Sequence, residues 1–154
     1  MARGHAAIVR LLLEKDADVN AQGGHYVSAL QAAPAGGHEI VVRLVLEKDA
    51  DVNAPEGYYG SALHAASAGG HEVVVRLLLE MDADVNAWNG GYGSTVASAG
   101  GHEGVVRLLL DWNADTDAQA GHYGSALHAA SAGGHTAVVR LFLEKDASVN
   151  APAW

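Results

Sequence analysis

Apolar residues in this chain come in short bursts, and each burst has one arginine set inside it. The runs are Ile8-Val9-Arg10-Leu11-Leu12-Leu13, Val41-Val42-Arg43-Leu44-Val45-Leu46, Val73-Val74-Val75-Arg76-Leu77-Leu78-Leu79, Val105-Val106-Arg107-Leu108-Leu109-Leu110 and Val138-Val139-Arg140-Leu141-Phe142-Leu143. An acid closes each one: Glu14, Glu47, Glu80, Asp111 and Glu144. Such runs are apolar nearly all round, which predicts helices that touch several neighbours rather than one flat core. Before each of the last four lies a shorter, alanine-rich stretch that starts at a hydroxyl residue and ends at Gly-Gly. In the copy at 55–87 the spacing predicts a first helix from Ser61 to about Ala68 and a second from about His71 to Met81. Ser61 can accept from an early helical N–H, Gly69-Gly70 breaks the chain between the helices, and Glu72 suits the positive end of the second helix dipole.

The Gly-His step falls at His5, His38, His71, His102 and His135, spaced by 33, 33, 31 and 33 residues. A period of this kind marks a stacked array in which no unit buries its own apolar face. The chain divides as one array of units at about 1–21 (partial), 22–54, 55–87, 88–118 (two residues short) and 119–154. After each second helix stands Asp16, Asp49, Asp82, Asn113 or Asp146, residue types that tolerate the left-handed conformation and so predict a C-cap device. The short copy, "STVASAGGHE" against "SALHAASAGGHE", predicts a first helix that loses about half a turn or starts differently, since two residues turn a helix face by about 200°.

The stretch "SALHAASAGGHEVVVRLLLEMDADVNA" resembles the ankyrin repeat, and the resemblance runs over the whole chain. The family's Thr-Pro-Leu-His opening has counterparts in Ser61-Ala62-Leu63-His64, Ser125-Ala126-Leu127-His128 and Ser28-Ala29-Leu30-Gln31; the missing proline weakens the helix start without changing the fold. "GYYGSALHAASAGGHE" is further similar to arrays at the C-terminal end of fungal NACHT-type, NLR-like receptors. The resemblance implies an all-α solenoid of stacked helix-turn-helix units with projecting β-turn fingers, and non-catalytic recognition of a protein or peptide. It also implies that His64 and His128 tie neighbouring loops together. Neither end carries a polar capping unit, so the chain reads as an excerpt, with Leu11 and Leu12 exposed and with end-to-end association or a frayed first helix expected.

Composition narrows the partners. Aromatics are 6% of the chain, so the core is built from Ala, Val and Leu. A formal charge of -9 argues against a nucleic-acid backbone as partner. Cysteine is absent, which removes disulfides and thiolate metal sites. No apolar run is long enough to span a membrane and no leader layout is present, so a cytoplasmic location is the default.

The chemistry-like features read as structure. His71-Glu72 lacks the second histidine four residues on that a zinc helix needs, where Val75 stands instead. Histidines of successive units sit a helix spacing apart, about 8–10 Å, too far to share one ion. They are expected to bond loop backbone and fix the turn. Ser61 and Ser125 read as caps rather than triad serines, and the glycine-rich fingers match no phosphate loop. Arg76 and Glu80, four apart, can interact along the helix surface, though the acid-first order is better, and read as part of a solvated face rather than a site. Neither catalytic residues, a metal nor a cofactor is expected.

Recognition should sit where the copies differ. The six-residue fingers are "QGGHYV" (22–27), "PEGYYG" (55–60), "WNGGYG" (88–93) and "QAGHYG" (119–124). Candidate contact residues are His25, Tyr26, Glu56, Tyr58, Tyr59, Trp88, Asn89, Tyr92, His122 and Tyr123. The tyrosine column Tyr26, Tyr59, Tyr92 and Tyr123 is either a structural ring ladder or an exposed strip. Met81 and Trp112, where other copies hold lysine, form a modest apolar spot or pack on their own helix ends. Two alternatives stand beside a recognition module: a consensus-like scaffold without a native partner, and a histidine-dependent enzyme.

Overall fold

The computed structural model describes residues 2–21, 29–54, 60–87, 92–118 and 124–149. A lone helix, α1 (Ala2–Leu13), is followed by four helix pairs: α2 (Ala29–Ala35) with α3 (Glu39–Leu46), α4 (Ala62–Ala68) with α5 (Glu72–Glu80), α6 (Tyr92–Ala99) with α7 (Glu103–Asp111), and α8 (Ala126–Ala132) with α9 (Thr136–Glu144). The short helices α2, α4, α6 and α8 pack in succession as one layer, and α1, α3, α5, α7 and α9 as the other. The described residues therefore form the all-α stack that the repeat period implies.

The apolar bursts fill the space between layers and units. Val42, Val75 and Val106 share one column and are fully buried. Val45, Leu78, Leu109 and Phe142 share the next and are buried as well. Each such side chain contributes about 1.5–3 kcal/mol relative to exposure. Helix α1 has only one layer behind it, and Ile8, Leu11 and Leu12 are exposed there. It is helical from Ala2 to Leu13.

Both turns of each unit close in the same way. Asp82 has φ 61°, its N–H donates to the Leu79 carbonyl (3.1 Å) and the next N–H, of Ala83, donates to Leu78 (3.0 Å). This is the double bond of a Schellman cap, with aspartate in the left-handed position usually held by glycine. Asp16, Asp49, Asn113 and Asp146 take the same conformation, so the whole predicted column is a capping device. The first helix of the unit ends similarly at Gly70, φ 69°.

The shortened unit keeps its helix and gives up part of its finger. Counted back from the Gly-His step, Tyr92 stands where Ser61 stands, and α6 starts there and runs eight residues. The helix thus starts differently, and it recruits Tyr92 and Gly93 to do so. Losing a turn would expose the layer on both sides, whereas a finger can shorten without disturbing packing. The cost falls on chemistry: Ser94 takes the place of Leu63, Thr95 that of His64, and both are buried. Ser67 Oγ donates to the Leu63 carbonyl at 2.7 Å, but the hydroxyls of Thr95 and of Ser98, the counterpart of Ser67, are buried without a hydrogen-bond partner among the described residues.

The same substitution should therefore act with opposite sign in adjacent units. Ser67→Ala removes a made hydrogen bond and should cost about 1 kcal/mol, while Ser98→Ala removes an unsatisfied buried hydroxyl and should stabilise by about 1 kcal/mol. Urea unfolding midpoints at constant m-value read both.

Candidate functional site

A finger has two roots, one at the exit of the preceding second helix and one at the start of the next first helix. The first root is built on asparagine. Asn53 Nδ2 donates to the Asp82 carbonyl of the next unit (3.0 Å), and its Oδ1 accepts from the Asp84 N–H (2.8 Å). Asn20 does the same with Asp49 (3.3 Å) and Asp51 (3.1 Å), and Asn86 with Asn113 (3.3 Å) and Asp115 (2.9 Å). Each asparagine thus clips its connector to the one that follows. In the fourth joint Asp117 stands in its place; its Oδ1 accepts from the Ser148 N–H (2.8 Å), but a carboxylate has no donor for the carbonyl opposite. The recurrence of Asn at 20, 53 and 86 was the signal for this ladder, and sequence reasoning did not use it.

The second root is a capped helix start. Ser61 Oγ accepts from the His64 N–H (3.1 Å) and Ser125 Oγ from the His128 N–H (3.3 Å). Ser125 Oγ also lies 3.2 Å from His128 Nδ1, the spacing of a nucleophile and base, yet the serine is 1% exposed and already engaged as a cap. Capping accounts for both serines. Gly60 and Gly124, at the finger ends, have φ of 68° and 74°, so the finger glycines serve turn geometry there. Burial lowers the His64 imidazole below its ordinary value of 6.5, keeping it neutral at this root.

The Gly-His histidines clasp one unit to the previous one. His71 Nε2 lies 3.1 Å from the Ala35 carbonyl, His102 Nε2 3.2 Å from Ala68 and His135 Nε2 2.9 Å from Ala99. A carbonyl only accepts, so Nε2 carries the proton. The expected bond to loop backbone is present, but it reaches the loop of the preceding unit rather than the histidine's own turn. The two glycines make room for it: a Cβ on Gly70 would meet His102 Nδ1 of the next unit at 2.6 Å, and one on Gly69 would strike His71 of its own turn. Among the described residues no group of three or more His, Asp and Glu side chains converges as metal ligands.

On the outer surface the arginines pair with the acid before them, not with the one after. Arg43–Glu39 is 3.0 Å, Arg76–Glu72 3.6 Å and Arg107–Glu103 2.9 Å. The Arg76–Glu80 pairing expected from spacing gives way to the acid-first order, which suits the tilt of helical side chains and the dipole. These exposed pairs are worth a few tenths of a kcal/mol each. Beside α1 an open cleft of about 460 Å³ is lined by Val9, Ala29, Ala32, Ala33, Ala35, Gly36, His38 and Val41. Its walls are the counterparts, 33 residues earlier, of those against which α2 packs.

Of the predicted contact residues, His25, Tyr26, Glu56, Tyr58, Tyr59, Trp88, Asn89, His122 and Tyr123 lie outside the described residues. Tyr92 is described in its backbone alone and belongs to the first turn of α6, which takes it out of the finger in which the tyrosine column put it. Ala68 and Gly69, at the end of α4, are exposed, as are Ala132 and Gly133 at the end of α8.

Replacing Asp117 with asparagine should supply the missing donor to the Asp146 carbonyl. Asp117→Asn is expected to raise unfolding stability by about 0.5–1.5 kcal/mol, measured by chemical denaturation. The depressed His64 titration has its own signature. The unfolded chain takes up the proton more readily, so stability is fully present above 6.5 and is lost as pH falls through the folded-state value. The fall in unfolding midpoint between about pH 7 and about pH 5 should be shallower in His64→Gln than in the parent chain.

A family model described as ankyrin repeats (3 copies) matches residues 1–89, and a second, described as ankyrin repeat, matches residues 124–154. All of the shortened unit but its first two residues falls between the two matched stretches. A comparison with curated proteins gave no match.

Proposed function

Because the chain belongs to the ankyrin repeat family, whose members are typically protein-interaction modules, we propose that it is a non-catalytic module recognising a protein or peptide on its finger side. The observation that carries this reading is the contrast at the finger roots. Asparagine clips and serine caps hold the roots in repeated positions, while the first, second and fourth residues of the fingers between them differ from copy to copy. Scaffold that repeats and tips that vary are what a recognition surface requires. The contacts are assigned to His25, Tyr26, Glu56, Tyr58, Tyr59, Trp88, Asn89, His122 and Tyr123, with Tyr92 at the edge where α6 begins. A net charge of -9 favours a neutral or basic partner.

The finer assignment is the ligand-sensing array of a larger, cytoplasmic NLR-like receptor, supported by the finger sequence "GYYGSALHAASAGGHE". End-to-end association of copies is supported by the exposed Ile8, Leu11 and Leu12 and by the cleft beside α1. Sedimentation velocity over a range of concentrations reads it.

A peptide selected on the immobilised chain should bind a Tyr58→Ala, Trp88→Ala version about tenfold or more weakly, as loss of aromatic anchors does. Equal capture by both versions removes the finger reading. A hydrolytic activity abolished by His71→Ala or His128→Ala would make the protein an enzyme instead.

A further inference from the structure

We propose a second interaction surface, away from the fingers, where Met81 and Trp112 cap the outer-layer helices α5 and α7 and accept a basic segment of a partner protein. In the column that closes each second helix the residues are Lys15, Lys48, Met81, Trp112 and Lys145. A lysine there offsets the negative end of its helix dipole. The two middle units give up that cation for large apolar side chains in adjacent positions of the stack. Met81 is 45% exposed and Trp112 43% exposed, so neither is folded fully onto its own helix end. Both are C-cap residues held by three backbone carbonyls each, which fixes where their side chains emerge.

The surroundings select the occupant. Glu80, Asp82, Asp84, Asp111, Asp115 and Asp117 are all exposed along this part of the edge. The helix C-termini add further negative potential. Lysines flank the pair in the same column, Lys48 in the unit before Met81 and Lys145 in the unit after Trp112, and Lys145 is drawn to Asp111 across the unit boundary at 3.6 Å. An apolar pair inside a carboxylate rim fits a segment that carries arginine or lysine on either side of an apolar side chain: the apolar group covers Met81, and a guanidinium lies over the Trp112 ring, the best face for a cation. A second copy meeting this edge through its own is disfavoured, since it would bring the same row of carboxylates against its like.

Fluorescence anisotropy with a labelled synthetic peptide, Arg-Leu-Arg-Leu-Arg, tests this on the full chain, with the Glu-for-Arg peptide as its counterpart. The basic peptide should bind, the acidic one should not, and Met81→Gln combined with Trp112→Gln should weaken binding about tenfold without altering charge. Glu80→Gln with Asp111→Asn should weaken it as well. Tyr58→Ala with Trp88→Ala should leave it unchanged, which keeps this surface distinguishable from the finger side. Circular dichroism checks that each variant is folded. The proposal is overturned by no binding up to about millimolar peptide, by equal binding of the acidic peptide, or by equal affinity of the double glutamine variant, which would mean diffuse charge attraction only. Loss of binding in the finger variant overturns it too, as does a self-associated state in sedimentation that the double glutamine variant dissolves.

Discussion

The imidazoles of His71, His102 and His135, each at the start of a second helix, satisfy carbonyls belonging to the unit before. Helices leave their last carbonyls unpaired, and in the short helices here, two turns long, that is a large fraction of all backbone acceptors. Ala35, Ala68 and Ala99 have theirs met from outside, by His71, His102 and His135. A unit is therefore complete at its loop only when the next one is in place. Gly-Gly before His38, His71 and His102 follows from the same constraint, because one glycine clears the ring of its own turn and the other the ring of the following unit. Hydrogen bonding and apolar burial thus both run across unit boundaries, and neither can be assigned to a unit alone.

That division decides what could be read from the chain. Features internal to one unit were legible: two helices, the Gly-Gly break, the serine caps at Ser61 and Ser125, and the left-handed Asp or Asn column. Each rests on local backbone geometry, which residue type and spacing determine. Features that join units were partly hidden. The histidines were expected to bond loop backbone, but which loop depends on how units stack. The asparagine ladder went unread although its period was plain, since a donor and acceptor in a connector gain meaning only from the connector laid beside it. The arginines were legible as a solvated face, and of the two acids within reach the one that precedes is the partner, the order that side-chain tilt and the dipole favour. In the candidate site, the roots were legible in part through Ser and Gly, and the finger residues remain a reading of variation between copies.

The short unit shows which demand wins when two conflict. A helix two residues shorter would break both layers, so α6 draws Tyr92 and Gly93 in and accepts buried Ser94 and Thr95 in exchange for Leu63 and His64. Lost packing would touch both neighbours, while a buried hydroxyl without a partner among the described residues, as at Thr95, is a local cost of about 1–3 kcal/mol. The same economy explains the edge with Met81 and Trp112. Outer helix ends make few demands on the stack, so their residues are free to change, and two adjacent units have changed from cationic to apolar.

The clip between connectors involves only consecutive units, as does the histidine clasp. A genetic recombination event that duplicates or deletes a stretch of 33 codons in frame would leave every surviving joint with a matching half on each side. The array can then lengthen or shorten by whole units while its finger tips diverge afterwards. Duplication of the segment with Asp117 is the exception, because it would copy a connector that lacks a donor and write the weaker seam into the chain twice.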